Sequence, residues 1–250
     1  VTDETIALVT GANKGIGRAI AQRLAGLGMT VLLAARNQDR GAEATAALRA
    51  AGGDVHPLTL DVTDPASIQA AAVQAASRFG RLDVLVNNAG ISGRSSGRGL
   101  QTPGTVSLDV ARAVFETNFF GVIMVTEAFL PLLRRSPAAR IVNVSSGTGS
   151  LHNMTDPAHY MSRLPASAGY PVSKTALNAL TVQYAKALAA DRILVNAVAP
   201  GACATDFTRG LPYPVTRTAA QGAEIAVRLA TIGPDGPTGG FFDDDGSVPW

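Results

Sequence analysis

The chain has 250 residues, 46% of them hydrophobic and only 16% charged, enough to bury the core of one large α/β domain. Its net charge of +2 is scattered rather than clustered, which excludes a basic nucleic-acid surface. One cysteine, Cys203, excludes an intramolecular disulfide and a cysteine-based zinc site, and no leader-like stretch or bilayer-length apolar run stands out, so a cytoplasmic chain with no membrane partner is expected.

Strand candidates fall at 5–10, 30–35, 55–60, 83–87, 140–145, 192–198 and 239–242. Stretches of helical period lie between them at 15–28, 38–51, 65–79, 106–134, 170–190 and 218–231. Parallel strands need a crossover and a helix supplies it, so this alternation predicts an α/β fold: a parallel sheet of about seven strands with helices on both faces. Runs such as Val84-Leu-Val86 and Ile141-Val-Asn-Val144 are nearly continuous in apolar character, as strands covered on both sides should be. No repeat or linker divides residues 1–250, which read as a single domain. Two segments break the pattern: 91–105, rich in Gly, Ser and Arg, and an insertion near 147–168. Each follows a strand at its carboxyl end, the edge where open α/β sheets bind ligands.

The first strand runs directly into Thr10-Gly-Ala-Asn-Lys-Gly15-Ile-Gly17 and then a helix. Glycines at such a turn bring the backbone close to a pyrophosphate, and the helix N-terminus offers it free N–H groups and partial positive charge. Gly11, Asn13, Lys14, Gly15, Ile16 and Gly17 are therefore candidate cofactor contacts. The spacing is Gly-x-x-x-Gly-x-Gly rather than the commoner Gly-x-Gly-x-x-Gly. A carboxylate closing the second strand would bind ribose hydroxyls and favour NAD. Here Leu33-Ala-Ala35 leads instead to Arg36, which with Lys14 can neutralise a 2′-phosphate, favouring NADPH/NADP+.

Tyr170-Pro-Val-Ser-Lys174 places a phenol and an amine one helical turn apart, with Pro171 suited to the first turn. A neighbouring ammonium is expected to lower the phenol pKa toward the working pH of a general acid/base. Ser145 and Ser146 close the fifth strand candidate, and Asn118 interrupts an apolar helix face, a costly place for an amide without partners. His152 and His159 are too far apart to read as a metal pair without a third ligand, so no metal is expected.

Taken together, Thr10-Gly-x-x-x-Gly-x-Gly17, Asp61-Val62, Asn87-Asn-Ala-Gly90, Asn118, Ser146, Tyr170-x-x-x-Lys174 and Pro200-Gly201 resemble, in order, the short-chain dehydrogenase/reductase superfamily over essentially the whole chain. The resemblance implies a doubly wound Rossmann fold. It implies that Tyr170 exchanges a proton with a substrate oxygen and that Ser146 hydrogen-bonds that oxygen. Lys174 would hold the nicotinamide ribose, with Asn118 supporting a water relay to Lys174. Asp61 and Val62 would meet adenine, Asn87, Ala89 and Gly90 would line the adenosine and ribose, and Thr205 after Pro200 and Gly201 would bind the carboxamide. Ser146 and Tyr170 stand 24 positions apart, wider than in many members. That extra segment and the tail Gly239-Gly-Phe-Phe-Asp-Asp-Asp-Gly246 resemble the carbonyl-reductase branch.

The expected reaction is NADPH-dependent reduction of a ketone or aldehyde. The alternatives are an NADP-dependent alcohol dehydrogenase working oxidatively and a non-catalytic NADP(H)-binding regulator. The partner is a small carbonyl or alcohol, with the 91–105 loop, His152, Met154, Tyr160 and the Phe207–Tyr213 segment as pocket candidates. An insertion that covers the helices around Asn118 and Tyr170 would favour a monomer over a homo-oligomer.

Overall fold

A computed structural model describes residues 5–93, 101–209, 211 and 214–250. Seven parallel strands are present in the described residues: β1 (Ile6–Thr10), β2 (Thr30–Ala35), β3 (Val55–Thr59), β4 (Val84–Asn87), β5 (Arg140–Val144), β6 (Leu194–Val198) and β7 (Phe241–Asp243). With a short antiparallel β8 (Gly246–Ser247), they form one sheet in the order β3-β2-β1-β4-β5-β6-β7-β8. The crossovers are α1 (Gly15–Gly26), α2 (Gln38–Ala50), α3 (Pro65–Phe79), α4 (Leu108–Phe115), α5 (Gly121–Leu133), α7 (Tyr170–Ala187) and α8 (Ala219–Ala230); α6 (Leu151–Thr155) lies in the insertion.

The two-residue period of the strands divides the core between the faces. Leu8, Leu32, Leu85 and Ile141 point to one side, where Ala71 and Ala75 of α3, Val125, Phe129 and Leu133 of α5, and Ala185 of α7 cover them. Ala7, Val9, Val31, Leu33, Val84, Val86 and Val142 point to the other, against Ile20 and Leu24 of α1, Leu48 of α2, and Ile225 and Leu229 of α8. Burial on both faces is why these strands read as continuous apolar runs. The helical run Leu108–Leu133 is long and apolar enough by composition to cross a bilayer, but Val125, Phe129 and Leu133 are fully buried against the sheet.

Three local features differ from the sequence expectation. The helix expected over 106–134 is broken by a π-helical turn at Glu116–Phe120, an insertion too small to disturb the apolar period. The segment 147–168 is not irregular throughout. It holds tight helical turns at Gly147–Gly149 and Tyr160–Arg163 around α6, whose first turn is capped by Ser150 Oγ accepting from Asn153 N at 3.1 Å. β8 closes a hairpin turn in which the Asp243 carboxylate accepts from Asp245 N and Gly246 N, at 3.0 and 3.1 Å.

The insertion docks on the last residues of the chain. Ser150 Oγ donates to Pro249 O at 2.6 Å, and His152 N donates to Trp250 O at 3.0 Å. The Trp250 ring stacks on Phe241 with centroids 5.5 Å apart. Gln101 ties the preceding loop to the insertion by accepting from Ala168 N at 2.7 Å; residues 94–100 of that loop lie outside the described residues. Leu108, Phe120 and Val172 remain exposed, so the insertion leaves part of the α4–α5 and α7 faces uncovered.

Candidate active site

Strand order reverses between β1 and β4, and their carboxyl ends open a crevice there. Thr10 ties its two sides together: its hydroxyl accepts from Asn88 N at 2.9 Å and Ala89 N at 3.0 Å. Asn88 Nδ2 returns the link by donating to Thr10 O at 2.8 Å. The glycine turn is thereby seated on the loop after β4. Gly11 has φ +63°, and a Cβ there would sit 3.0 Å from Ala89 Cα. A Cβ on Gly17 would lie 2.3 Å from Asn88 Nδ2 and 2.7 Å from Gly11 O, so no larger residue fits without moving backbone.

α1 begins at this turn with Lys14 as its N-cap, without a side-chain cap and without an acidic residue in its first turn. By contrast, α2, α3, α6 and α8 are capped by Asn37, Asp64, Ser150 and Thr218. An uncapped N-terminus leaves N–H groups and partial positive charge for an anion, which fits a dinucleotide pyrophosphate. Asn13 and Ile16 are half-buried in the same turn. Arg36 is exposed just beyond β2, while Lys14 Nζ pairs with Asp206 at 2.9 Å. Lys14 and then Arg209 hold the Asp206 carboxyl below the ordinary range.

Asp61 and Val62 follow β3. The Asp61 carboxylate accepts from Thr63 N and Thr63 Oγ1, and Val62 packs beneath Gly121. Asn87 turns into the core, donating to Asn143 Oδ1 at 3.0 Å and to Thr126 Oγ1 at 3.2 Å. Gly90 stands between two candidate groups: a Cβ there would be 3.3 Å from Asn118 Oδ1 and 3.8 Å from Lys174 Nζ.

Tyr170 and Lys174 share the first turns of α7, with Nζ 5.7 Å from the phenol ring centroid. Lys174 is buried, and its Nζ donates to Val144 O at 2.7 Å. Burial pushes its pKa down to about 7. Desolvation pushes the Tyr170 phenol up to about 12, while the hydrogen bond from Ser146 acts the other way. The expected lowering of the phenol by a neighbouring ammonium is thus outweighed: removing water from both groups disfavours both charges. Ser146 Oγ also lies 3.0 Å from Thr148 Oγ1. Asn118, in the π turn, is fully buried. Its Oδ1 accepts from Ile91 N at 2.9 Å, and its Nδ2 donates to Ile91 O at 2.9 Å and Ser173 Oγ at 3.0 Å.

Pro200 and Gly201 follow β6 and lead into a segment that crosses the crevice. The Thr205 methyl lies 3.5 Å from a Cβ position at Gly15, and Phe207 meets the Tyr170 ring edge to face at 5.3 Å. Met161 of the insertion lies directly over Gly147. Tyr160 is exposed and stacks on His159, while Met154 is half-buried in α6. Residues 210, 212 and 213 of the Phe207–Tyr213 segment lie outside the described residues. Among the described residues, no group of three or more His, Cys, Asp or Glu side chains is placed to hold a metal. Sequence reasoning missed Asp206, Met161 and Arg217, which carry no motif signal apart from their long-range contacts, and the role of Asn88, which sits inside the Asn87–Gly90 motif but whose bond to Thr10 appears only on folding.

A family model described as short chain dehydrogenase matches residues 5–213. The short-chain dehydrogenase anuI of Penicillium roqueforti is 40% identical over 249 residues, spanning 97% of this chain and 95% of that protein. The structure of salutaridine reductase from Papaver somniferum superposes with a TM-score of 0.80 at 31% identity, over 96% of this chain and 100% of that one. The NADPH-bound carbonyl reductase from chicken fatty liver gives a TM-score of 0.85 at 28% identity, over 99% of both chains. The chain belongs to the short-chain dehydrogenase/reductase family and is an oxidoreductase.

Proposed function

We propose that the whole chain acts as one NADP(H)-dependent carbonyl reductase domain, converting a ketone or aldehyde to an alcohol. The observation that carries this reading is the pairing of the Tyr170 phenol with the buried Lys174 amine on the first turns of α7, Nζ lying 5.7 Å from the ring centroid. A positioned phenol gives its proton to the nascent alkoxide as hydride arrives and takes it back in the oxidative direction; the reductases among the similar structures support the reductive one. Bound NADPH would supply the hydride.

In this reading Gly11, Asn13, Gly15, Ile16 and Gly17 with the α1 N-terminus hold the pyrophosphate, and Arg36 and Lys14 hold the 2′-phosphate. Asp61 and Val62 flank the adenine. Asn87, Ala89 and Gly90 shape the wall beside the ribose, and Pro200, Gly201 and Thr205 close the nicotinamide end. Tyr170 gives its proton to the substrate oxygen while Ser146 orients that oxygen. Lys174 donates to the nicotinamide ribose, and Asn118 holds the backbone of Ile91 beside Lys174. Consumption of NADPH and NADH against a panel of aromatic, cyclic and aliphatic carbonyls tests the reading. Turnover with NADPH supports it, whereas cofactor binding without turnover on carbonyls or alcohols returns the regulator alternative.

The cofactor choice has its own expected outcome. Arg36 is exposed and forms no described ion pair, whereas Lys14 shares its charge with Asp206. Loss of charge-assisted hydrogen bonds to a phosphate costs about 1.5–3 kcal/mol, or roughly 10- to 100-fold. Arg36→Ala should therefore cut kcat/KM for NADPH by that factor and leave NADH nearly unchanged. An equal loss with both cofactors would sink the assignment.

Phe207 and Met161 present apolar surface near Tyr170 and Gly147, so the substrate in this reading is a bulky apolar ketone. Removing an aromatic wall of this kind forfeits about 1.5–3 kcal/mol of burial. Phe207→Ala should raise KM for large cyclic ketones by at least about tenfold and affect short hydrophilic aldehydes little. The chain acts as a monomer and in the cytoplasm in this reading; elution as a dimer or tetramer in size exclusion would overturn the first of these alone.

A further inference from the structure

We propose that Arg217 is a positioning residue which, with Asp244, sets how closely residues 200–209, the described stretch after β6, press on the cofactor crevice. This rests on the cofactor reading above. Arg217 is the residue before Thr218, the N-cap of α8. Its backbone carbonyl accepts from Ala204 N at 2.7 Å. Its Nε donates to Pro200 O at 2.8 Å, and one Nη donates both to Gln221 O at 2.8 Å and to the Asp244 carboxylate. From the returning end of the segment, one side chain thus binds the point where it leaves the sheet, while the backbone of the same residue binds Ala204 on the outgoing part.

The packing around that bond is equally close. Gly201 has φ +73°, and a Cβ there would lie 3.3 Å from Arg217 Cδ and Nε, so the motif's glycine gives the guanidinium its room. Cys203 Sγ occupies the notch at Gly222 on α8, where a Cβ would come within 2.4 Å. Asp244 lies in the turn between β7 and β8, at the sheet's edge. The base of the segment is therefore fastened to α8 and to that turn. Its outer part carries Thr205 to Gly15, Asp206 to Lys14 and Phe207 to Tyr170. Among the described contacts Arg217 meets none of these three, and its described bonds reach the crevice only through the segment. A planar guanidinium can serve two carbonyls and a carboxylate at once; an ammonium has a different reach and no fork.

Arg217→Ala and Asp244→Asn test the proposal through NADP+ binding, measured calorimetrically, alongside KM for NADPH, kcat and thermal stability. Arg217→Ala should weaken NADP+ binding by at least about tenfold, the scale of lost charge-assisted hydrogen bonds, with KM for NADPH rising more than kcat falls. Asp244→Asn keeps the guanidinium and its two carbonyl bonds and should give a smaller shift in the same direction. A cavity of about 390 Å³ lined in part by Arg217, Gln221, Glu224, Arg228 and Asp244 gives small solutes access. Methylguanidinium should therefore restore part of the binding to Arg217→Ala, whereas methylammonium should not. Both variants binding NADP+ like the wild type, with only a lower melting temperature, would show a brace and overturn the proposal. If Arg217→Ala does not fold, Asp244→Asn decides by the same measurement. A wild-type chain that takes no NADP+ overturns the cofactor reading and this proposal with it; equal binding by wild type and variants overturns this proposal alone.

Discussion

Tyr170→Phe should reduce kcat with NADPH and a good carbonyl by about two to four orders of magnitude, the range expected when a positioned general acid is removed. The substitution deletes one oxygen and leaves the ring, so its edge-to-face contact with Phe207 persists. NADP+ affinity should stay within about threefold of wild type, since the lost hydroxyl serves the substrate oxygen and is accounted for in transition-state terms. Single-turnover kinetics and a binding titration measure the two quantities separately. Retention of a tenth of the activity would remove Tyr170 as the proton donor, and loss of binding alongside activity would assign it a structural part.

Lys174→Met should change both catalysis and the pH dependence of stability. The ammonium is buried with one described hydrogen bond, to Val144 O, and its pKa falls from 10.5 to about 7. Between those values the unfolded chain binds a proton that the folded chain does not. Stability from this group therefore rises with pH across that window, with a limiting slope of about 1.4 kcal/mol per pH unit, and is lost as pH falls through about 7. Tyr170 acts oppositely: the folded chain keeps its phenol proton from pH 10 to about 12, and stability declines over that interval. Denaturant unfolding at successive pH values should show the rise in the wild type and a flatter profile in Lys174→Met, with turnover lowered at least about 100-fold. Parallel profiles for the two chains would mean that Lys174 is charged in the fold at neutral pH.

Much of this architecture is legible in the residues because strands buried on both faces leave uninterrupted aliphatic runs, as Val84–Val86 does, and the crossovers leave Ala-rich helical periods. The glycine turn and the Tyr170–Lys174 pair are legible because their chemistry depends on short spacings. Asn118 shows the limit: the residue stands out on an apolar face, but the π turn that aims it at Ile91 adds no periodic signal. Lys14 shows another. Its charge suggested a phosphate contact, while the partner that shares it, Asp206, is 192 positions away and enters only through folding. The upward push of burial on the Tyr170 phenol is illegible for a related reason, because a neighbouring amine is visible in a motif and desolvation is not.

Trp250 is the chain's sole tryptophan, and it sits at the junction of β7 and the insertion: its ring lies on Phe241 and its carbonyl holds His152. Indole emission therefore comes from one place, and its colour and quenching report whether that junction is dry or wet. The molecule carries its own optical gauge of insertion docking, readable with NADP+ or substrate analogues present rather than NADPH, whose absorption overlaps indole emission. A ligand that seats the insertion more firmly should shift that emission toward the blue, while one that binds only at the glycine turn should leave its wavelength in place.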